Sequence, residues 1–168
     1  FIKGDHVRIE EISARGDVQG IMLVDNHDKT VTALSPDRKL YMDVPNMRLP
    51  KEVKAEVKKT GEMKDMAGYK CEKWVVKSPA EDRILTYWVA QDAFDFFVPM
   101  LETLNRKDEQ AVFFQKIDGA KGVFPMLGTE QKMDGSEVSR LEVTKVARGA
   151  QKADLFQVPA GFTRFERN

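Results

Sequence analysis

Apolar and polar residues alternate along most of the first half of the chain, in short runs separated by turn residues. In residues 5–11, for example, Val7 and Ile9 lie on one side of an extended chain, because successive side chains of a strand point to opposite faces. Similar runs recur about every ten residues, at residues 18–24, 30–34, 39–44, 55–63, 68–77 and 83–90. This spacing favours an antiparallel meander over β-α-β units.

The last of these runs, residues 83–90, is apolar on both faces. Alternation places Ile84, Thr86 and Trp88 on one face and Leu85, Tyr87 and Val89 on the other. Apolar residues on both faces are typical of a strand that is covered on both sides. We therefore expect both faces of this strand to be covered.

The period of the pattern changes between residues 92 and 117. Apolar residues there fall at helical spacing, namely Phe94, Phe97, Val98, Leu101 and Leu104. Asp92 is placed to cap a first helix, and Asp108 to cap a second helix that carries Val112 and Phe113. Pro99 predicts a kink or a restart of the first helix. The pattern thus predicts a short helical insert at about residues 92–117.

Strand-like sequence returns after the insert. Residues 122–133 and 137–147 flank an Asp134-Gly135 pair, which is typical of a hairpin turn. We find no repeat, low-complexity tract or linker that would divide the chain. The sequence therefore predicts a single domain, residues 1–168, with an α+β fold dominated by antiparallel strands.

The composition of the chain argues against two classes of function, nucleic-acid binding through net charge and a membrane-spanning role. The 27 Lys and Arg residues balance the 27 Asp and Glu residues, so the chain has no net field that would attract nucleic acid. No apolar run approaches the roughly 20 residues needed to span a bilayer, and we expect a chain that does not span the membrane. Because the sequence begins at Phe1 rather than Met, we also expect a leader or a strand upstream of it.

Catalytic and metal chemistry have no recognisable arrangement. Cys71 is the only cysteine, and its strand-like surroundings predict a small buried hydrophobe rather than a nucleophile. A metal site would need His6 and His27 to converge with carboxylates, whereas residues 25–28 have the composition of an Asx-rich turn. No glycine-flanked serine elbow occurs. We predict a protein that is not an enzyme and that needs neither a metal nor a cofactor.

Three parts of the chain form a recognisable set. They are Ile2-Lys3-Gly4-Asp5-His6-Val7-Arg8-Ile9, then Lys59-Thr60-Gly61-Glu62 with Ala67-Gly68-Tyr69-Lys70-Cys71-Glu72-Lys73-Trp74, and finally Leu155-Phe156-Gln157-Val158-Pro159-Ala160-Gly161-Phe162. Together they resemble a bacterial family known as domain of unknown function 4412. The resemblance implies export to the periplasm or the extracellular space. It also implies a curved antiparallel sheet or half-open barrel, similar to that of the bacterial lipoprotein carriers, whose concave side holds acyl chains.

The aromatic insert is the best candidate for a binding surface, because it has more large apolar residues than one face of a short helix needs. Core packing is the simpler explanation for these residues. The alternative is an apolar cavity for a lipid or acyl chain, lined by Trp74, Trp88, Phe94, Phe97, Met100 and Phe113. A second possible function is a protein–protein interaction module of the cell envelope without a small ligand.

The beginning of the chain raises a further expectation. If a family strand precedes Phe1, the strand that starts there has an open hydrogen-bonding edge in this sequence, and open edges tend to pair with other chains. We therefore expect a homodimer through an open sheet edge.

Overall fold

The computed structural model describes residues 1–46, 51–91 and 94–166. Within these ranges the strands are, in chain order, β1 (Ile2–Lys3), β2 (His6–Ile12), β3 (Val18–Asp25), β4 (Thr30–Ser35), β5 (Leu40–Asp43), β6 (Glu56–Met66), β7 (Tyr69–Ser78), β8 (Arg83–Gln91), β9 (Val123–Gln131), β10 (Glu137–Glu142) and β11 (Thr163–Arg164). Helices α1 (Phe97–Leu104) and α2 (Glu109–Phe114) lie between β8 and β9, and short 3-10 helices occur at Pro79–Glu81 and Ala153–Phe156.

These strands form two sheets. The first has the order β1-β2-β3-β4-β5-β11 and the second β10-β9-β8-β7-β6. Neighbouring strands are antiparallel except β5 and β11, which are parallel. Neither sheet closes into a barrel in the part of the chain that the structure describes. The β-dominated, largely antiparallel fold with short helices is confirmed, whereas the division into two sheets was not predicted.

The two sheets belong to two compact units. One unit consists of residues 1–48, 102–105 and 149–168, and the other of residues 49–101 and 106–148. The first sheet lies in the former unit and the second sheet in the latter. The single domain expected from the sequence stays a prediction.

The core of the first unit forms on one face of its sheet. Ile21, Leu23 and Leu34 are buried there, and Ile21 pairs directly with Leu34 across β3 and β4. Val158 and Phe162, from the end of the chain, pack against this cluster. The terminal segment therefore supplies the apolar cover that the meander β2 to β5 lacks by itself. In the same sheet, β1 is an edge strand. The homodimer expected through this edge stays a prediction.

The core of the second unit is built on β7, β8 and β9. Alternate residues on one face of β8, Leu85, Tyr87 and Val89, are at most 1% exposed. Helix α2 contacts β9, and Ala111 to Phe114 are all buried. The opposite face of β8, with Ile84, Thr86 and Trp88, is only half-buried. On that second face Ala90 is fully buried and Trp88 packs against a buried cluster, so the expected cover on both sides is confirmed in part.

The helical insert is shorter than predicted. Asp108 caps α2 as expected, since its side chain accepts a 3.0 Å hydrogen bond from the Ala111 N–H group. The helical spacing predicts that Phe94 lies in the first helix, but Phe94 precedes α1. Pro99 neither kinks nor interrupts α1, because it lies in the first turn, where its missing N–H group would have no partner within the helix. The predicted cap at Asp92 lies outside the described residues.

Candidate functional site

Six aromatic rings in the second unit contact one another in succession, and we call this cluster the aromatic chain. Its members are, in order of contact, Tyr69, Phe94, Phe124, Phe97, Phe114 and Tyr87. Successive ring centroids lie between 4.6 and 5.5 Å apart, within the range of favourable aromatic pairs. The rings of the helical insert thus pack largely against each other and against the sheet.

The aromatic chain connects the two faces of the second sheet. Phe124 pairs with Ala90, which in turn pairs with Cys71, so these side chains share a face with Tyr69. Tyr87 lies on the opposite face, which α2 covers. Phe97, at the start of α1, contacts rings on both sides. This arrangement explains why the helical insert has more aromatic residues than one face of a short helix needs.

The six predicted ligand-lining residues do not have equal exposure. Trp74 and Phe113 are only 1% and 0% exposed and belong to the closed core. Phe94 and Met100 are almost as deeply buried, at 8% and 9%. Trp88 and Phe97 are half-buried. Of the predicted set, these last two have the most surface available to a ligand.

Trp88 lies at the end of a half-buried row on one face of the second sheet, next to the buried Ala90 and Leu127. The strand register places Val75, Ile84, Thr86 and Thr129 on the same face, and each is half-buried. We call this surface the Trp88 face. It is less deeply buried than the opposite face, except around Cys71 and Ala90, where it is closed.

Lysine side chains surround the Trp88 ring. The Lys64 ammonium lies 5.6 Å from the ring centroid and the Lys73 ammonium 5.9 Å from it. Both distances are within the range of cation–π attraction. The register places Lys73 directly beside Trp88, and Lys64 beside Cys71 on the same face. The Trp88 face is therefore apolar in its centre and cationic at its margin.

Cys71 is part of the core beneath the aromatic insert. It is fully buried and packs with Ala90, Phe94 and Met126. Its burial raises the pKa of the thiol, because the thiolate would lose its hydration. The prediction of a small buried hydrophobe is confirmed.

A buried polar network, which the sequence did not reveal, joins α2 to the second sheet. The Tyr87 hydroxyl donates to the Gln110 carbonyl oxygen at 2.7 Å. The Gln110 side-chain amide donates to the Ser139 hydroxyl at 2.9 Å, and Ser139 donates to Glu130 at 2.7 Å. Glu130 also accepts a 2.7 Å hydrogen bond from Arg83. Every member has a partner within the fold, so we interpret the network as structural.

A separate pocket of about 700 Å³ opens in the first unit. The β1–β2 turn, the β3–β4 turn and the 3-10 helix at Ala153–Phe156 line it. His6 Nδ1 lies 3.5 Å from an Asp25 carboxylate oxygen, and His27 Nδ1 lies 2.8 Å from an Asp28 oxygen. Both histidines therefore line one pocket, which only the register of β2 against β3 could have revealed.

The acidic residues of this pocket are engaged in its own walls. One Asp25 carboxylate oxygen accepts hydrogen bonds from the main-chain N–H groups of Asp28 and His27, at 3.0 and 2.9 Å. The bond from Asp28 lowers the pKa of the Asp25 carboxyl group. The Asp28 side chain, in turn, raises the pKa of His27. The interpretation of residues 25–28 as an Asx-rich turn is confirmed.

The described ranges 1–46, 51–91 and 94–166 contain no group of three or more His, Cys, Asp or Glu residues that could hold a metal ion. Among these residues, no helix combines the length and the hydrophobicity needed to cross a membrane.

The fold and its surfaces define a mostly antiparallel β-protein with two sheets and two short helices. The chain belongs to the family described as Domain of unknown function (DUF4412), whose model matches residues 1–162. No curated protein matches the chain. No solved structure matches it.

The segments that carry the family resemblance have identifiable structural roles. Ala67 and Gly68 form the tight β6–β7 turn with positive φ angles of 49° and 81°, which glycine adopts without strain. In the C-terminal segment, Gly161 also has a positive φ angle, and Phe162 beside it packs on the first sheet. Both glycines therefore form backbone bends next to a packed aromatic ring.

Proposed function

We propose that the protein is a non-enzymatic, exported binding protein of the bacterial cell envelope, whose ligand is an acyl chain or a similar apolar molecule. The observation that carries the proposal is the Trp88 face, where Val75, Ile84 and Trp88 are half-buried apolar residues beside a fully buried core. The location in the envelope, and the likeness to lipoprotein carriers, belong to the proposal.

An acyl chain is a suitable occupant of this face. Burial of each CH₂ group contributes about 0.8 kcal/mol, so a chain of several carbons could bind there without a directional contact. Trp88 supplies a broad ring, and Phe97 supplies a second half-buried ring at the end of the sheet. Trp74 and Phe113 support the sheet from its buried face rather than contacting the ligand directly.

The close packing of the core favours a binding surface that is already formed before the ligand binds. Leu85, Tyr87 and Val89 are immobilised on the opposite face, so Trp88 is held on a strand whose position is already fixed. Binding would then require little ordering of the backbone, which otherwise opposes association. The Trp88 ring is also a spectroscopic reporter within the proposed site.

The direct test is native mass spectrometry of protein purified from the periplasm and extracellular medium of expressing cells, followed by titration with decanol. We expect retained lipid or a saturable change in tryptophan fluorescence. The change should be lost in Trp88→Phe if Trp88 is the reporter, while calorimetry still detects decanol. No retained lipid and no calorimetric binding would reject the proposed function.

A second candidate function is an envelope interaction module without a small ligand. It is favoured by exposed apolar side chains on the edge strands of the second sheet, with Val57 and Met63 on β6 and Val138 and Leu141 on β10. Exposed edges and apolar residues are typical of partner surfaces. A clean ligand-free mass together with a discrete oligomer, lost in Leu141→Ser, would favour this alternative.

A further inference from the structure

We propose that the protein forms a symmetric dimer in which β10 of one copy pairs antiparallel with β10 of a second copy, centred on Leu141. The proposal concerns the assembly of the chain and does not depend on the acyl-chain site. It follows from the position of β10 at one end of the second sheet and from the order of charges along this strand.

β10 has a regular hydrogen-bonding edge that faces away from the sheet. Residues 139–142 pair with β9 without interruption, and the Val143 N–H group still donates to the Met126 carbonyl oxygen of β9 at 2.8 Å. Because the direction of the main-chain groups alternates along a strand, the N–H and C=O groups of Arg140 and Glu142 point away from β9. Within the described ranges no further strand follows β10 in this sheet. An edge of this kind is a template for another strand.

The side chains along this edge are also exposed. Leu141 is 63% exposed and lies on the face of the sheet that Gly128 and Tyr87 share. Arg140 and Glu142 lie on the opposite face, because they are the neighbours of Leu141 in the strand. Their side chains are about half exposed, and Arg140 Nε lies 3.7 Å from a Glu142 carboxylate oxygen. The edge therefore presents an apolar residue on one face and two opposite charges on the other.

These charges favour one register for the pairing of β10 with itself. Residues that face each other across two strands have side chains on the same face, so the twofold axis must pass through a residue. An axis at Arg140 or at Glu142 would place like charges directly opposite each other, which is unfavourable. An axis at Ser139 would lie next to the register shift between Glu137 and Ser139. An axis at Leu141 places Leu141 opposite Leu141 and gives two symmetric pairs of Arg140 with Glu142.

The other edge of the sheet, β6, is protected against such pairing. Its register against β7 shifts between Lys59 and Met63, and Gly61 within this segment has a positive φ angle of 72°. A bulge of this kind interrupts the straight edge that a second strand needs. Lys58 and Lys64 of β6 are exposed, and lysines are frequent on edges that avoid pairing. We therefore assign the self-pairing edge to β10 rather than to β6.

The experiment is analytical ultracentrifugation of the full chain at low salt over a wide range of protein concentrations. We expect a weak dimer, because residues 139–143 are far fewer than the roughly 20–30 residues a side of a standard interface. The variants are Arg140→Glu, Glu142→Arg and the double variant with both changes. Lys58→Glu is the matched control, since it reverses an exposed charge on the opposite edge strand. Circular dichroism of each variant confirms that it is folded.

Each single charge reversal should raise the dimer Kd by about tenfold or more, because two attractive cross-strand pairs become two repulsive ones. The double variant should dimerise as the unaltered protein does, since its charges are only exchanged. An equimolar mixture of Arg140→Glu and Glu142→Arg should form a heterodimer, which separates pairing between copies from any change within one chain. Lys58→Glu should leave the dimer Kd unchanged.

The other outcomes would overturn the proposal. A protein that stays monomeric at the highest concentration would show that this edge does not pair. A dimer that neither single reversal weakens would place the interface at another edge, and a mixture without heterodimer would reject the register centred on Leu141. Assembly beyond the dimer that Lys58→Glu disrupts would indicate head-to-tail pairing of β10 with β6. None of these results depends on decanol binding, so the proposed function is tested separately.

Discussion

The Tyr87 hydroxyl group donates a 2.7 Å hydrogen bond to the main-chain carbonyl oxygen of Gln110 and thereby fixes the first turn of α2 on the second sheet. Tyr87→Phe removes this donor and leaves a buried acceptor without it. We expect the free energy of unfolding to fall by about 1–3 kcal/mol, the usual cost of an unsatisfied buried group. Urea unfolding followed by circular dichroism measures this change.

Tyr69→Phe is the matched control for that substitution. The Tyr69 hydroxyl accepts a hydrogen bond from Arg148 at the exposed surface, so its removal should cost less than the removal of the buried Tyr87 hydroxyl. An equal loss of stability in both variants would contradict the assigned role of the Tyr87–Gln110 bond.

The same tyrosine predicts a loss of stability at high pH. Burial raises the pKa of Tyr87 well above its ordinary value, because the phenolate would be desolvated. Below about pH 10, the tyrosine pKa expected in the unfolded chain, both states keep the proton and the contribution of Tyr87 is constant. Above it only the unfolded state ionises, so stability falls until the pH reaches the folded pKa.

The measurement is urea unfolding from pH 8 to pH 11 for the unaltered protein and for Tyr87→Phe. The unaltered protein should lose stability more steeply above pH 10, by up to about 1.4 kcal/mol per pH unit for one proton. Parallel curves for the two proteins would show that Tyr87 does not titrate as expected.

Gly128 lies against the buried side chain of Gln110, which hydrogen bonds to Ser139 and to the Gly128 carbonyl oxygen hold in place. A methyl group at this position would overlap the side-chain oxygen of Gln110. We expect Gly128→Ala to reduce the free energy of unfolding by about 1–3 kcal/mol, as other overpacking substitutions do. Gly149→Ala is the control, because a methyl group there meets nothing within 4 Å and its φ angle is not positive.

A double-mutant cycle tests the cause of this loss. Gln110→Ala removes the obstructing side chain, so Gly128→Ala should cost less in the Gln110→Ala background than alone. Additive losses would mean that the destabilisation arises elsewhere.

Local sequence patterns predicted the elements of the fold better than their assembly. Alternation located β3 and the turn chemistry located the β9–β10 hairpin, because both signals are contained in a few neighbouring residues. The parallel pairing of Thr163 with Leu40 joins residues far apart in the chain, and no local pattern encodes it. The strand predicted at 137–147 ends at Glu142, although the Val143 N–H group still donates to the Met126 carbonyl oxygen of β9 at 2.8 Å.

Only part of the candidate site was predicted, again because local patterns do not encode contacts between distant residues. The excess of aromatic residues correctly marked the insert as unusual, but burial depends on which rings meet in space. Phe113 and Phe97 have the same chemistry, yet Phe113 is fully buried and Phe97 is not. The cationic margin was missed, because Lys64 and Lys73 approach Trp88 only through the register of three strands.

Cys71 should be chemically silent in the native protein. The thiol is fully buried, and its raised pKa reduces the thiolate that reagents attack. We expect a disulfide reagent to react with it only at the rate of unfolding and immediately in denaturant. Rapid labelling of the folded protein would contradict this burial.

Cys71→Ser should also lower the unfolding free energy by about 1–3 kcal/mol, since its hydroxyl replaces a thiol among apolar neighbours.

Phe113 and Phe97 provide the last prediction, because the same substitution should have different consequences at the two positions. Phe113→Ala leaves a cavity in a closed core, and we expect a loss of about 3–5 kcal/mol in the free energy of unfolding. Phe97→Ala removes a half-buried ring that contacts Phe114 and Phe124, so the loss should be smaller. If Phe97 contributes to the proposed acyl-chain site, its alanine variant should bind decanol more weakly while remaining folded. Equal destabilisation by both variants, with unchanged decanol affinity in Phe97→Ala, would show that Phe97 serves the core alone and would restrict the proposed site to the surroundings of Trp88.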